Sequence, residues 1–189
     1  MTKKRTLDLD KVVNKAMEII QSDGMKSLTL PRLAQALDIR TQSLYNYIAN
    51  LDELTSLIGA KLIDEMCQKV KDGLVGMSDK RALYKFAILA RQYLISKGNL
   101  ALVFFALHSF PEDSQFGISA HKLVDLLDQV IAASHFDKSA QTALSQTLIS
   151  SVLGYVFIET SNFYVEETPE EIESNYRQML KRIIGPIEN

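Results

Sequence analysis

Residues 29–48, TLPRLAQALDIRTQSLYNYI, decide how the rest of the chain is read. Leu33, Ala34 and Leu37 recur at helical spacing, and Leu44 and Ile48 stand one turn apart. The spacing predicts two short helices, each with an apolar face. Thr29 can cap the first, and Pro31 falls in its first turn, where a missing N–H costs little. Asp38-Ile39-Arg40 forms the expected joint. Asp tolerates the left-handed backbone of a sharp turn, and Ile39 plugs the angle between the helices. The second helix is then expected to expose Gln42, Ser43, Tyr45 and Asn46. Their donors and acceptors are short or planar, and none is a carboxylate. A helix that reads base edges in a major groove needs those properties and no charge that repels phosphate.

Working outward, Val12, Val13, Ala16, Ile19 and Ile20 keep a 3, 4 period over residues 9–23, and Gly24 follows as a stop. This predicts a first helix that packs over the other two and completes a three-helix head. Lys3, Lys4 and Arg5 precede it as a short basic arm. Such an arm is either a solvated end or a phosphate or minor-groove contact. Downstream, Leu54, Leu57, Ile58, Leu62, Met66 and Val70 stripe a longer helix from Leu51 to about Val75, with Asp52 and Glu53 suited to its first turn.

This stretch and its flanks resemble the tetracycline-repressor (TetR) family of transcriptional regulators. The matching residues are Ala16, Ile20, Gly24, Leu28-Thr29, Leu33-Ala34, Leu37-Asp38-Ile39, Ser43-Leu44-Tyr45-Asn46-Tyr47-Ile48 and Asn50-Leu51-Asp52-Glu53-Leu54. The match in motif covers about the first 55 residues. Asp38 stands where the family usually has Gly, Arg40 where it often has Ser or Thr, and Ile48 where an aromatic is usual. Leu51 replaces a common Lys that reaches a phosphate in relatives, so the resemblance does not carry that backbone contact over to this sequence. The resemblance implies a DNA-contacting set of Thr29, Arg40, Thr41, Gln42, Ser43, Tyr45, Asn46 and Tyr47. Arg40 is expected at phosphate, Tyr45 at phosphate or a thymine methyl, and Gln42 at a base edge.

Charge is distributed to suit that reading. Residues 1–51 hold eight Lys/Arg against five Asp/Glu, and residues 52–189 hold thirteen against eighteen. A basic head on an acidic body suits a local nucleic-acid contact. No run approaches a membrane span, and the single Cys67 allows no internal disulfide, so a reducing, cytoplasmic setting is expected. The three histidines, His108, His121 and His135, have no metal-ligand spacing, and no phosphate loop or nucleophile elbow is present. Neither a cofactor nor an enzymatic activity is expected.

The remainder reads as helices near 79–97, 99–109, 116–135, 139–164 and 169–184. Residues 84–110 are crowded with large apolar and aromatic groups. For any one of them, plain core packing is the ordinary reading. For the region as a whole, TetR-like regulators imply an effector cavity, and its expected wall is Phe86, Leu89, Tyr93, Phe104, His108 and Tyr155. Glu159 interrupts an apolar run and is expected to be a partly exposed acid or to pair with a base such as Arg177 or Lys181, with a ligand-facing carboxylate as the lesser alternative.

Over 139–164, Leu144, Leu148, Val152 and Tyr155 form one apolar stripe and Ile149, Leu153, Val156 and Phe163 another. One stripe can be covered by the chain itself; a second calls for a partner. The expected seam of a twofold homodimer is Leu148, Val152, Tyr155, Val156, Tyr176, Met179, Leu180 and Ile183.

These readings converge on an all-α protein with a helix-turn-helix head over 1–51 and a helical ligand-binding and dimerisation body over 52–189. The function they point to is ligand-responsive transcriptional regulation by a dimer on a palindromic double-stranded DNA operator, released by a small apolar effector. The alternative is a helix-turn-helix interaction module without DNA binding, for which Leu51 is the sequence feature.

Overall fold

A computed structural model describes residues 7–106, 111–134, 136–161, 163 and 166–186. The fold is all-α. The helices are α1 (Leu9–Asp23), α2 (Leu30–Ala36), α3 (Thr41–Leu44), α4 (Leu51–Leu74), α5 (Asp79–Ser96), α6 (Val103–Ala106), α7 (Gln115–Ala132), α8 (Lys138–Thr160) and α9 (Pro169–Ile184). Short 3₁₀ turns fill Met25–Ser27 and Gly98–Leu102. Among the described residues no helix is long and apolar enough to cross a membrane.

The chain divides into two compact units. One is Met1–Leu62 with Lys97–Ile118, and the other is Ile63–Ser96 with Ser119–Asn189. The boundary expected at 51/52 falls inside the first unit, which also takes in a later segment.

In the first unit, α1 forms where its pattern predicts. The Asp8 carboxylate accepts from Lys11 N at 2.9 Å, satisfying an N–H that the first turn leaves unpaired. At the other end Gly24, at φ 80°, turns the chain and donates to Ile20 O at 2.8 Å. Val12, Ala16, Ile20, Leu33, Leu44 and Ile48 are buried together with Leu54 and Ile58 of α4. Full burial of each Val, Leu or Ile among them is worth about 1.5–3 kcal/mol, which is how such short helices persist when alone they would be marginal. The segment expected as one helix near 99–109 is instead the 3₁₀ turn followed by α6, and residues 107–110 lie outside the described set. Asn99 Nδ2 donates to Gln21 O at 3.1 Å, tying that turn to the end of α1.

Gly117, in the first turn of α7, has no room for a side chain. A Cβ there would run into Pro111 O and stand 3.0 Å from Glu112 O, both backbone atoms that cannot rotate away. Gly117→Ala is therefore expected to cost about 1–3 kcal/mol by overpacking, read as a lower urea midpoint with an unchanged slope.

In the second unit, α5 packs against α8 and α9. Tyr176 is fully buried, and its hydroxyl donates to Ala87 O at 2.8 Å. Tyr84 donates to Gly185 O at 3.0 Å beyond the end of α9. Thr168 starts α9 with a capping box, trading hydrogen bonds with Glu171. Arg91 of α5 lies at the middle of the three helices. Its Nε and Nη2 donate to Glu159 at 2.9 and 3.0 Å, and its Nη1 donates to Glu173 at 2.5 Å. The guanidinium also sits 4.6 Å from the Tyr176 ring centre and 5.6 Å from that of Tyr155. Glu159 thus pairs with Arg91, not with Arg177 or Lys181. Arg177 goes to Glu173 one turn back on its own helix.

Within the single chain this packing already covers much of the expected dimer seam. Leu148, Val152, Val156, Tyr176 and Leu180 are all buried inside the single chain. The stripe carrying Leu144 and Leu148 covers α5, and Val156 follows it inward because eight residues from Leu148 complete little more than two turns. Tyr155, Met179 and Ile183 stay half-buried at the edge.

Candidate nucleic-acid interface

Thr29 caps α2, its hydroxyl accepting from Arg32 N at 3.3 Å, and Pro31 sits in the first turn. Arg32 in turn forms an ion pair with Asp23 at the end of α1. After α2 the backbone turns at Asp38, which takes φ 55°. That is the left-handed conformation, which a short polar side chain bears at small cost. Ile39 is half-buried beneath the joint, and its N–H donates to Ala34 O at 3.0 Å.

The second helix is shorter than its spacing suggests. The α-helical part ends at Leu44, and residues 45–47 continue it as turns. The bonds there run mostly from residue i+3, as in Tyr47 N to Leu44 O at 2.8 Å, with Ile48 N reaching the same carbonyl at 3.1 Å. Leu44 and Ile48 face inward, at 0 % and 2 % exposure. Asn50 then caps α4, accepting from Glu53 N at 2.8 Å, while the Glu53 carboxylate accepts from Ala49 N. Neither the Arg91 cluster nor this second cap was read from the sequence. The Asn50…Glu53 spacing is a capping signature that could have given the latter.

The outward surface carries Thr29, Arg40, Gln42, Asn46 and Tyr45, the last 56 % exposed. Thr41 and Ser43 are half-buried. Tyr47 is also half-buried, and its hydroxyl donates to Leu7 O at 3.2 Å, just before α1. The predicted set is therefore brought together, with Tyr47 already engaged within the protein. Lys3, Lys4 and Arg5 lie outside the described residues. Leu51 opens α4 half-buried, on the wall of a cavity of about 620 Å³ with Met25, Asn50, Ser56, Pro111 and Gln115.

Five of the six residues of the expected effector wall are among those described. Tyr93 is buried, and its hydroxyl donates to Glu65 at 2.9 Å. Burial and then that carboxylate push the hydroxyl well above its ordinary pKa. Phe86 is buried and Leu89 half-buried on the same helix. Tyr155 donates to Ile172 O at 2.9 Å, and Phe104 meets Phe116 edge-on. His108 lies outside the described residues. None of the described five lines the cavity of about 620 Å³, nor a second of about 320 Å³ in the other unit, walled by Leu74, Met77, Ala82, Leu126 and Val130. Among the described residues no group of three or more His, Cys, Asp or Glu is placed to hold a metal.

No family model matches the chain. Over 55 residues it is 40 % identical to the HTH-type transcriptional repressor DrrR1 of Streptomyces coeruleorubidus. That stretch is 29 % of this chain and spans only a fifth (20 %) of the relative. Among solved structures, BioQ with its double-stranded DNA operator matches at a TM-score of 0.70 and 22 % identity, covering 96 % of this chain and 100 % of that one. A TetR variant from Acinetobacter baumannii AYE, in complex with minocycline, matches at a TM-score of 0.73 and 20 % identity, covering 95 % of each chain. The chain has the TetR-family fold. In that fold the first unit holds the helix-turn-helix head, with Asp38 in the left-handed turn and Ile48 on the buried inner face.

Proposed function

We propose that the chain is a DNA-binding transcriptional regulator. It acts in the cytoplasm as a dimeric repressor on a palindromic operator, and a small apolar effector releases it. One observation carries this: a capped, turn-linked helix pair whose outer face presents Gln42, Tyr45 and Asn46 beside Arg40 with no carboxylate among them. The solved complex of BioQ with its operator supports the reading on the same fold, and the minocycline complex supports an effector. Selection of bound genomic fragments by the purified chain tests it. Enrichment of one palindromic sequence is the expected result, and binding that ignores sequence would overturn it.

Two heads are needed because one short helix reads too few base pairs to find a rare site. With the inner stripe of α8 covered by its own chain, the partner-facing surface moves outward. Gln146, Ser150, Gly154 and Phe157 share that face, with Leu153 at its edge, and Phe157 is 46 % exposed. A Cβ on Gly154 would meet nothing within 4 Å in the single chain, so the face is open to close approach by another helix. Light scattering at micromolar concentration is expected to give twice the 21.3 kDa of one chain. Ser150→Glu with Phe157→Glu is expected to halve that mass and abolish operator binding while leaving the helical content intact. A dimer that survives both charges would place the seam elsewhere.

A further inference from the structure

We propose that the cavity of about 620 Å³ in the first unit is a binding site for an organic cation with an apolar body, and that this occupant tightens DNA binding. The effect on DNA rests on the DNA-binding reading above; the site itself does not. Pockets for drug-sized molecules measure about 300–1,000 Å³, so the hollow has the size for one. Its wall carries three carboxylates, Asp52, Glu53 and Asp113, and no Lys, Arg or His among its described residues. Glu53 already accepts from Ala49 N, whereas Asp52 and Asp113 have no hydrogen-bond or ion-pair partner among the described residues. Met25, Leu57 and Pro111 add apolar surface.

The wall is held in place by the fold. Asn50 caps the helix that bears Asp52 and Glu53, accepting from Glu53 N at 2.8 Å. Ser114 N donates to Pro111 O at 2.9 Å, and Ser114 Oγ accepts from Gly117 N at 3.0 Å, which fixes the turn that bears Asp113. Phe116 N donates to Ser56 Oγ at 3.3 Å and ties α7 to α4. A ligand therefore meets a preformed wall and has little to order. The chemistry of that wall selects the ligand class. Among the described residues no three carboxylates come together closely enough to hold a metal ion. A neutral apolar molecule would take the acids out of water with nothing in return. A diffuse positive charge on an apolar skeleton meets both conditions, because its attraction needs no short coordinating contact.

Asp52 follows Asn46 of the base-reading surface by six residues, so the two Cα atoms lie within about 21 Å. Charges at that range are felt at 0.01 M salt, where the screening length is about 30 Å, and fade at 0.1 M, where it is about 10 Å. The acids thus oppose an approaching phosphate backbone at low salt, and a bound cation offsets them.

Titration calorimetry of the full chain with tetraphenylphosphonium tests the site, with tetraphenylborate as the same shape carrying the opposite charge. One phosphonium per chain is expected, with the borate bound at least tenfold more weakly. Asp52→Asn with Asp113→Asn is expected to weaken phosphonium binding tenfold or more. The thermal midpoint should hardly move, since both side chains are exposed. No phosphonium binding, equal binding of the borate, or binding that ignores the two carboxylates overturns the site. On the selected operator duplex at 0.01 M salt, saturating phosphonium is expected to raise affinity about fivefold or more. The double variant should bind the operator more tightly than the unaltered chain without any ligand, and respond no further to it. Operator affinity unmoved by phosphonium overturns the coupling to DNA. A chain that binds no duplex at all overturns the DNA-binding reading, while the calorimetry still decides the site.

Discussion

Arg91→Met is expected to lower the unfolding free energy by about 3 kcal/mol, the largest stability loss for any single side chain outside the apolar core. Removing one partner from a buried ion pair costs about 3–5 kcal/mol, because the remaining charge stays buried without compensation. The lower end applies because the Glu173 side chain is 36 % exposed, against 9 % for Arg91 and 19 % for Glu159. For a chain of this length the thermal midpoint should fall by roughly 6–12 °C. Adding Glu159→Leu and Glu173→Gln to Arg91→Met should recover most of the loss, since the orphaned acids are then gone. A single-variant loss below about 1 kcal/mol would show that the cluster is not a stabilising clamp on α5, α8 and α9.

Acid should narrow the gap between Arg91→Met and the unaltered chain. Burial opposes ionisation of Glu173, and hydrogen bonds from Arg91 and then Arg177 more than offset it, so its carboxyl titrates below its ordinary range. A carboxyl depressed in the folded state contributes stability above its unfolded pKa, near 4.3, and loses it as pH falls through the folded value. The unaltered chain should therefore lose stability below about pH 4.3. The variant has less of this contribution to lose. Urea midpoints measured from pH 7 to pH 3 for both chains check the convergence, and a difference that stays constant would contradict it.

On the DNA side, Gln42→Ala, Tyr45→Ala and Asn46→Ala together are expected to reduce operator affinity to that for unrelated duplex, a loss of roughly 10³-fold or more. Singly, Gln42→Ala and Asn46→Ala should each cost about 1–3 kcal/mol and relax preference at one position per half-site. Arg40→Ala should weaken all sequences alike, because a guanidinium at phosphate positions the protein without reading sequence. All four residues are exposed, so the unfolding midpoint should hardly move. Competition against a library of single-base operator variants separates these outcomes. Unchanged operator affinity in the triple variant would mean that the wrong face has been assigned.

Local chemistry was legible where a few neighbouring residues settle the matter among themselves. The Thr29 cap, the left-handed Asp38, the inward pair Leu44 and Ile48, the stop at Gly24 and the span of α1 all depend on contacts within about one turn. So did the outward set Arg40, Gln42, Tyr45 and Asn46, because the inner face of a short helix leaves only one outer face. The truncation of α3 at Leu44 was not legible, since residues 45–47 have no apolar period to distinguish α from 3₁₀ bonding.

What the sequence determined by itself is therefore an all-α chain with a capped helix-turn-helix at residues 29–48 and a first helix over it. Only the tertiary structure decided which apolar stripe of α8 turns inward, because Leu148 and Val156 are as apolar as Leu153 and Phe157 and periodicity does not say which neighbour arrives. It also decided the partner of Glu159. Arg91 stands 68 positions away, nearer bases were available on α9, and the pairing exists only because α5 packs against both α8 and α9. Tyr47 shows the same limit: its type and spacing fit a DNA contact, but the carbonyl that takes its proton belongs to a residue forty positions upstream, which only folding brings within 3.2 Å.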